Sequence, residues 1–462
     1  MNAKNFFAEL KRHNDHCQRS MPANRQYLVA GSLCFVSFLL FYGLTSRGAL
    51  QASDEVAVFA SGVALATHGH LAIDELQWMQ DHVNIGQKGP DDHLYAKYFP
   101  GNVFGVALLY KLAAQSNDQP YLQRGFGAAQ PNELASSTIG ARWAIKLNAM
   151  WGALGMTALL LLLRRYFDWR TAILVVVMVG SCSDWWYQSR GLFSEVGAGA
   201  FLIASLCFAV YDLPYSSATA LAISLLFRPT NLLALPIWAM SVLRKGPKAF
   251  GSGLIIIIGA LILAAYNQAR FGSALNFGYG SEGFEASSFR GLYGILLSPG
   301  RSIFVYSPPL LLAIPGAWFF YKREKILTIL CLILAMSYAI TIAAWHSWDG
   351  GLSWGSRLIT PIVPLLGVLI APSLEYAWTK KWGALAALLL GSMGVSVQVV
   401  ALLRSPMRVM IDEVATGKIQ YQDTIYTAHN SWLALQIRSL SSWQSCDLDS
   451  YTLRRLLTSC PN

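Results

Sequence analysis

Two acids stand together at Ser53-Asp54-Glu55. Ser53 is a residue type that caps helix N-termini, and a carboxylate in a helix's first turn is kept ionised by the helix dipole. An ionised carboxylate at the mouth of a cavity can take the proton of an incoming hydroxyl or amine. The same pair also suits an ordinary helix start. The complementary charges are Lys97, Arg142, Arg190, Arg228, Arg270, Arg301 and Arg357, with a further acid, Glu195, five residues after Arg190. Glu195 either pairs with Arg190 or supports the reacting groups. Guanidinium groups suit phosphate because their planar fork binds two oxygens at once. Carboxylates suit Mg or Mn, so a divalent ion at Asp54 and Glu55 is one option. No cofactor is required, because the cations could neutralise a phosphate unaided. No Ser or Cys nucleophile stands beside a base, which favours a single displacement.

The elements that must hold these residues are membrane helices. Of 462 residues, 54% are hydrophobic and 13% charged, against about 25% charged in a soluble domain. Apolar runs such as 27–46 and 193–211 reach the roughly 20 residues needed to cross a bilayer. They do not alternate as barrel strands would, and lipid leaves helices as the other solution. The net charge of +10 lies in short clusters between apolar runs, which encodes topology and argues against nucleic acid as a partner.

Basic clusters face the cytoplasm. Here they are Lys11-Arg12, Arg164-Arg165 with Arg170, Arg244-Lys245 with Lys248, Lys322-Arg323 with Lys325, and Lys380-Lys381. Spans are then expected at about 27–46, 145–163, 171–186, 193–211, 216–227, 232–243, 251–266, 303–320, 326–344, 358–374 and 383–403. Splitting 216–243 at Phe227-Arg228-Pro229-Thr230 keeps every cluster inside and puts Arg228 at an outer tip. The prediction is an all-α polytopic protein of about eleven spans. A cytoplasmic segment 1–26 precedes a transmembrane domain 27–404, and a small external tail occupies 405–462. The first external loop, 47–142, should carry apolar or amphipathic helices at 55–67 and 103–114 lying on the membrane surface. The arginines named above then all sit at outer ends of spans, where charges are costly unless paired or solvated in a cavity. Simple snorkelling to lipid headgroups is the plain alternative.

Cys34, Cys182, Cys207 and Cys331 read as small apolar residues. Cys446 and Cys460 lie in the external tail and could pair in an oxidising compartment. His68-Gly69-His70 reads as loop.

Several blocks together resemble the polytopic lipid-carrier-dependent glycosyltransferases of the GT-C superfamily. The nearest are the family-39-like group, with protein O-mannosyltransferases and bacterial lipid A aminoarabinose transferases. The likeness rests on Asp54-Glu55 opening the first external loop and on Lys97-Tyr98-Phe99-Pro100-Gly101. It continues in Gln188-Ser189-Arg190 with Glu195, where those enzymes usually have Asp, and in Phe227-Arg228-Pro229-Thr230-Asn231. Further blocks are Tyr266-Asn267-x-x-Arg270-Phe271-Gly272-Ser273, Ser298-Pro299-Gly300-Arg301 through Pro308, and Trp348-Asp349-Gly350-Gly351-x-Ser353-Trp354-Gly355-x-Arg357.

The resemblance implies a bacterial inner-membrane enzyme with its site on the periplasmic face. It would move a sugar from a polyprenyl-phosphate donor to a glycan, lipid or protein acceptor, with inversion. Carried over, Asp54 is the base and Glu55 its neighbour. Lys97, Arg228, Arg270, Arg301 and Arg357 hold the donor phosphate. Tyr98, Arg190 and Glu195 support them, and Tyr279, Trp348 and Trp354 stack on sugar or line a lipid groove. The rival reading is a flippase or transporter of a lipid-linked anionic glycan. That activity would place its polar groups near the bilayer midplane and would not need the first-loop acids.

Overall fold

The computed structural model describes residues 25–47, 50–113 and 143–458. Arg142 and the expected helix end at 114 lie outside them. Each expected span coincides with helical structure. Among the described residues six helical segments are long and apolar enough to cross a membrane: Arg25–Thr45, Trp143–Leu163, Ala249–Phe271, Lys325–Ala343, Arg357–Ala377 and Lys381–Leu403. Shorter apolar helices run over Trp169–Ser181, Ser194–Val210 and Pro214–Phe227. The protein is a multi-pass helical membrane protein.

Two expected spans differ in detail, each for a local reason. The span expected at 171–186 stops at Ser181, and Ser183 caps a separate short helix, Asp184–Gln188. The span expected at 303–320 is broken by Ser307-Pro308-Pro309 into Ile303–Tyr306, a 3-10 turn and Ala313–Arg323. The split at Arg228 is present. Pro229 pushes the residue before it out of the helical region, and Arg228 is extended at φ −151°, ψ 115°. A 3-10 turn, Pro229–Ala234, then leads into the helix Leu235–Lys245, which packs on Pro214–Phe227.

The loop expected to be the first external one is more folded than a surface-lying pair of helices. Its helix Ser53–His68 is buried from Glu55 to Ala64 and packs on Pro100–Ala113. The two approach so closely at Gly62 that a Cβ there would lie 2.5 Å from a Val106 methyl. The second helix turns Phe104, Leu108 and Leu112 outward at four-residue spacing, as an interfacial helix does. Between them Gly86–Lys88 and Leu94–Ala96 form an antiparallel hairpin, with Gly86 opposite Ala96. This strand pair stands outside the all-α expectation. Its turn, Gly89-Pro90-Asp91-Asp92, carries the Gly, Pro and Asp that close turns.

The tail packs as part of the body. Its Val409, Met410, Trp432 and Leu435 share a core with Tyr187, Tyr306, Trp354, Val397 and Ala401. Cys446 is disulfide-bonded, and Cys460 lies outside the described residues. Cys34, Cys182, Cys207 and Cys331 are free thiols packed at least partly inside. His68 and His70 stack at 5.5 Å on the surface.

Candidate active site

Loop 345–357 joins two spans and forms one wall of the site. It needs glycine at three positions, with φ of 76° at Gly350, 64° at Gly351 and 65° at Gly355. Such a loop has few side chains to hold it, and Arg301 does that work from outside. Its guanidinium donates to the carbonyls of Gly351, Ser353 and Gly355 and lies 4.4 Å over Trp432. On the opposite wall Arg270 donates to the carbonyls of Ala96 and Tyr98 and to Asn267 Oδ1 at 2.9 Å. It lies between the rings of Tyr266 and Phe271. Both arginines are buried cross-links whose donors satisfy backbone carbonyls.

These walls enclose a polar cavity of about 430 Å³. A second cavity of similar size adjoins it, with Phe99, Arg228, Tyr279, Glu282, Trp345 and Leu358 common to both linings. The remainder of the second lining is mostly apolar, including Leu275, Phe277, Phe284 and Ile342. Both volumes fall within the ~300–1,000 Å³ typical of ligand sites.

The charges in the polar cavity form a chain of contacts. Arg357 Nη1 meets Asp54 Oδ2 at 3.0 Å, and its Nε lies 3.6 Å from Glu195 Oε1. The Arg357 guanidinium stacks 4.1 Å over Phe193. Arg228 Nη2 donates to the same Glu195 oxygen at 2.8 Å. Tyr98 donates its hydroxyl to Asp54 Oδ1 at 2.9 Å. Lys97 donates to both oxygens of Glu282, at 2.7 and 2.8 Å, and Asn84 reaches that carboxylate too. The Lys97 ammonium also lies 5.3 Å over the Tyr279 ring.

Burial alone would raise the pKa of Asp54. Arg357, then Tyr98 and Lys97, outweigh it and hold the carboxyl below the usual carboxylate range. Burial and the neighbouring carboxylate push the Tyr98 hydroxyl upward, so it remains a proton donor to Asp54.

Asp54 and Glu55 are adjacent in the chain and part at once in space. Glu55 is the third residue of its helix, and its carboxylate turns back to accept from the backbone of Gln51 and Ala52 at 2.9 and 3.2 Å. Its other oxygen takes Arg47 at 3.0 Å and the Leu192 N–H at 2.8 Å. Glu55 therefore does the capping expected of Ser53, which is itself the helix's first residue. With one carboxylate aimed at the cavity and the other saturated by Arg47 and backbone donors, the pair does not form a divalent-ion site. Among the described residues no three His, Cys, Asp or Glu side chains converge as metal ligands.

Of the residues singled out in the sequence, the cavity lining contains Asp54, Lys97, Tyr98, Glu195, Arg228, Tyr279 and Arg357. Arg270 and Arg301 stand one layer behind it. Arg190 is buried farther back, bonded to the Thr45 carbonyl and to Asp449. Trp354 packs between Tyr187 and Tyr306, and Trp348 packs against Gly294. Neither lines either of these two cavities. Residues not foreseen are Asn84, Phe99, Glu282, Trp345 and His346. In the sequence Glu282 is one of two acids between 267 and 302, with no motif around it. A tryptophan at a span end, such as Trp345, is an ordinary interfacial residue type. Another unforeseen group is Asp184, whose buried carboxyl accepts from Gln188 and Thr360 behind Gly355. Burial, only partly offset by Gln188, Thr360 and Arg301, lifts its pKa to about 7.

No protein-family model matches the chain, and no curated protein does. Two solved structures of ArnT from Cupriavidus metallidurans align with most of it. One is bound to undecaprenyl phosphate, at 13% identity over 90% of this chain and 77% of that one, with a TM-score of 0.48. The other is the apo state, at 14% identity over 89% and 76%, with a TM-score of 0.49.

Proposed function

We propose that this protein is a membrane glycosyltransferase that moves a sugar from a polyprenyl-phosphate donor to a cell-envelope acceptor. It would act on the periplasmic face of a bacterial inner membrane. The observation that carries this reading is the pairing of two joined cavities. One is the more polar of the two and carries the charges, with Asp54 held between Tyr98 and Arg357. The other is apolar, and Arg228, Tyr279 and Glu282 stand at the junction. A donor with a charged head and an isoprenoid tail matches that division. The ordered motifs shared with lipid-carrier-dependent glycosyltransferases support the same conclusion.

The chemistry follows from the contacts. Breaking the bond between the sugar's anomeric carbon and the phosphate oxygen builds negative charge on phosphate. Lys97, Arg228 and Arg357 supply fixed positive charge beside it, and such preorganised donors are worth roughly 2.7–4 kcal/mol each. Asp54 takes the acceptor's proton as its oxygen attacks the opposite face of the ring, worth about 100- to 10,000-fold. Arg357 holds Asp54 in place but also weakens it as a base. An arriving phosphate draws on that guanidinium, and Asp54 regains basicity as the donor binds. The acceptor is a glycan, a lipid or a protein side chain.

A transporter of a lipid-linked anion would use charges at the membrane midplane. Here the charged lining stands in loops and at helix ends: Asp54 and Glu195 open their helices, Arg228 ends one, and Arg357 opens a 3-10 turn.

The test compares wild type with Asp54→Asn in the native host, reading the lipid-linked sugar pool and the surface glycans by mass spectrometry. The expected result is build-up of one polyprenyl-phosphate sugar and loss of one envelope modification at equal protein level. An unchanged pool and unchanged glycans would remove Asp54 from the reaction.

A further inference from the structure

Behind the cavity, at the root of the Ser53–His68 helix, lie four buried charges that the transfer itself does not use. They are Arg47, Glu55, Arg190 and Asp449, with side chains between 0 and 5% exposed. Two are positive and two negative. Three stretches distant in sequence contribute them: the exit of the first span with the helix start that follows it, the turn at 188–195, and the tail.

Asp449 is the tail's contribution, and it touches both of the others. Its Oδ2 lies 3.1 Å from Arg190 Nη2, its Oδ1 accepts from Gln51 Nε2 at 2.7 Å, and its main-chain carbonyl accepts from Arg190. Gln51 passes the link on. Its Oε1 accepts from Arg47 and from Ser405, each at 3.2 Å, and its N–H is held by Glu55. Glu55 in turn holds the Leu192 N–H at 2.8 Å, and the Arg47 N–H donates to the Arg190 carbonyl at 3.3 Å. The helix start carries Asp54 and the turn carries Glu195. Those two carboxylates face each other across Arg357, at 3.0 and 3.6 Å from its nitrogens.

Apolar side chains of similar volume would hold these segments together as well or better, because a buried ion cluster has a large desolvation cost to offset. What the cluster adds is direction, since its bonds through Asp449, Arg190 and the Leu192 N–H fix one segment against another. We propose that Asp449 is a positioning residue for the reaction: through Gln51 and Arg190 it sets the spacing of Asp54 and Glu195 and so seats Arg357 between them. The tail is thereby part of the catalytic apparatus. This inference rests on the glycosyl-transfer reading.

The test uses full-length protein added to membranes of a host lacking it, which supply donor and acceptor. The readouts are the initial rate of sugar transfer against pH and the melting temperature. Displacing a reacting group by about 1 Å can cost on the order of 100-fold. Asp449→Asn should accordingly lower turnover by about 10- to 100-fold. The acid limb of the rate should move to higher pH as Arg357 loosens from Asp54. The other groups facing that carboxylate are Tyr98 and Lys97, with Glu195, Tyr279 and His346 on the cavity walls, and none is altered. Asp449→Glu, which restores the charge, should recover most of the rate and return the limb.

A folded Asp449→Asn protein with wild-type turnover and an unmoved limb would overturn the proposal, whatever its melting temperature. If that variant does not fold, Gln51→Leu cuts the same link while leaving the Asp449–Arg190 ion pair in place. An unchanged rate and limb in Gln51→Leu would overturn the proposal equally. Wild type without any transfer sinks the functional reading and this inference with it, whereas active wild type with unaffected variants sinks the inference alone.

Discussion

Replacing Arg357 by lysine keeps a positive charge in the cavity and removes the geometry of the guanidinium. Arg357 reaches Asp54 with one nitrogen and Glu195 with another while its guanidinium carbon lies 4.1 Å over the Phe193 ring. A lysine ammonium is a compact point charge that can serve one carboxylate and cannot stack in the same way. The loss is then about one charge-assisted hydrogen bond, or roughly 1.5–3 kcal/mol. If that contact persists into the transition state, kcat falls by about 10- to 150-fold. A second consequence follows from sign. The base must be deprotonated to work, so activity is present above its pKa and lost as pH falls through it. Arg357 is the largest of the influences that hold Asp54 low. Loosening it raises that pKa, and the acid limb of kcat shifts to higher pH. The assay is the initial rate of sugar transfer in detergent or nanodiscs over a pH series, with melting temperature recorded for each protein. A kcat within about threefold of wild type, read as a transition-state energy, together with an unmoved limb would refute the placing of Arg357 at the reacting centre.

Two further outcomes separate structural from reacting carboxylates. Glu55→Gln breaks an ion pair whose side chains are 1% and 0% exposed, which should cost about 3–5 kcal/mol of stability. Asp54→Asn, at 30% exposure, should move the melting temperature little, so equal shifts in the two variants would refute the assignment of Glu55 to the cap. Asp184 is the opposite case in sign. Its pKa is raised to about 7 from 3.8, so the folded state holds a proton that the unfolded state releases. Its stabilising contribution is full below the unfolded value and lost as pH rises toward the folded one, to a limit of about 4 kcal/mol. Asp184→Asn, a neutral mimic of the protonated acid, should flatten the fall in melting temperature between pH 5 and 8. Parallel curves for variant and wild type would refute it.

The helical frame was readable because lipid imposes one rule everywhere: an apolar run long enough to cross must be a helix. Even the least regular point, Arg228-Pro229, announced itself through proline and through charge placement. What escaped were features decided by contacts distant in sequence. Nothing local says that the tail's Val409 and Trp432 will share a core with Tyr306 and Trp354. The hairpin at 86–96 pairs only three residues per strand, too few to leave an alternating pattern.

The charged residues show the same limit more sharply. Position at the end of a span says that an arginine must find an anion or a carbonyl, and it leaves open which. Arg228 and Arg357 find carboxylates at the cavity wall, while Arg270 and Arg301 find carbonyls just behind it. The difference lies in the backbone each one meets. Glycine turns such as Gly350-Gly351 point their carbonyls out of any regular ladder, and a buried carbonyl without a donor is costly. An arginine supplies several donors in one rigid fork and can silence three carbonyls at once, as Arg301 does. A glycine-rich loop at a membrane-protein site therefore consumes arginines to exist. Arginines in such a sequence include those that bind a ligand and those that hold the wall the ligand rests on. The second kind should be sought wherever glycines with positive φ cluster beside the first.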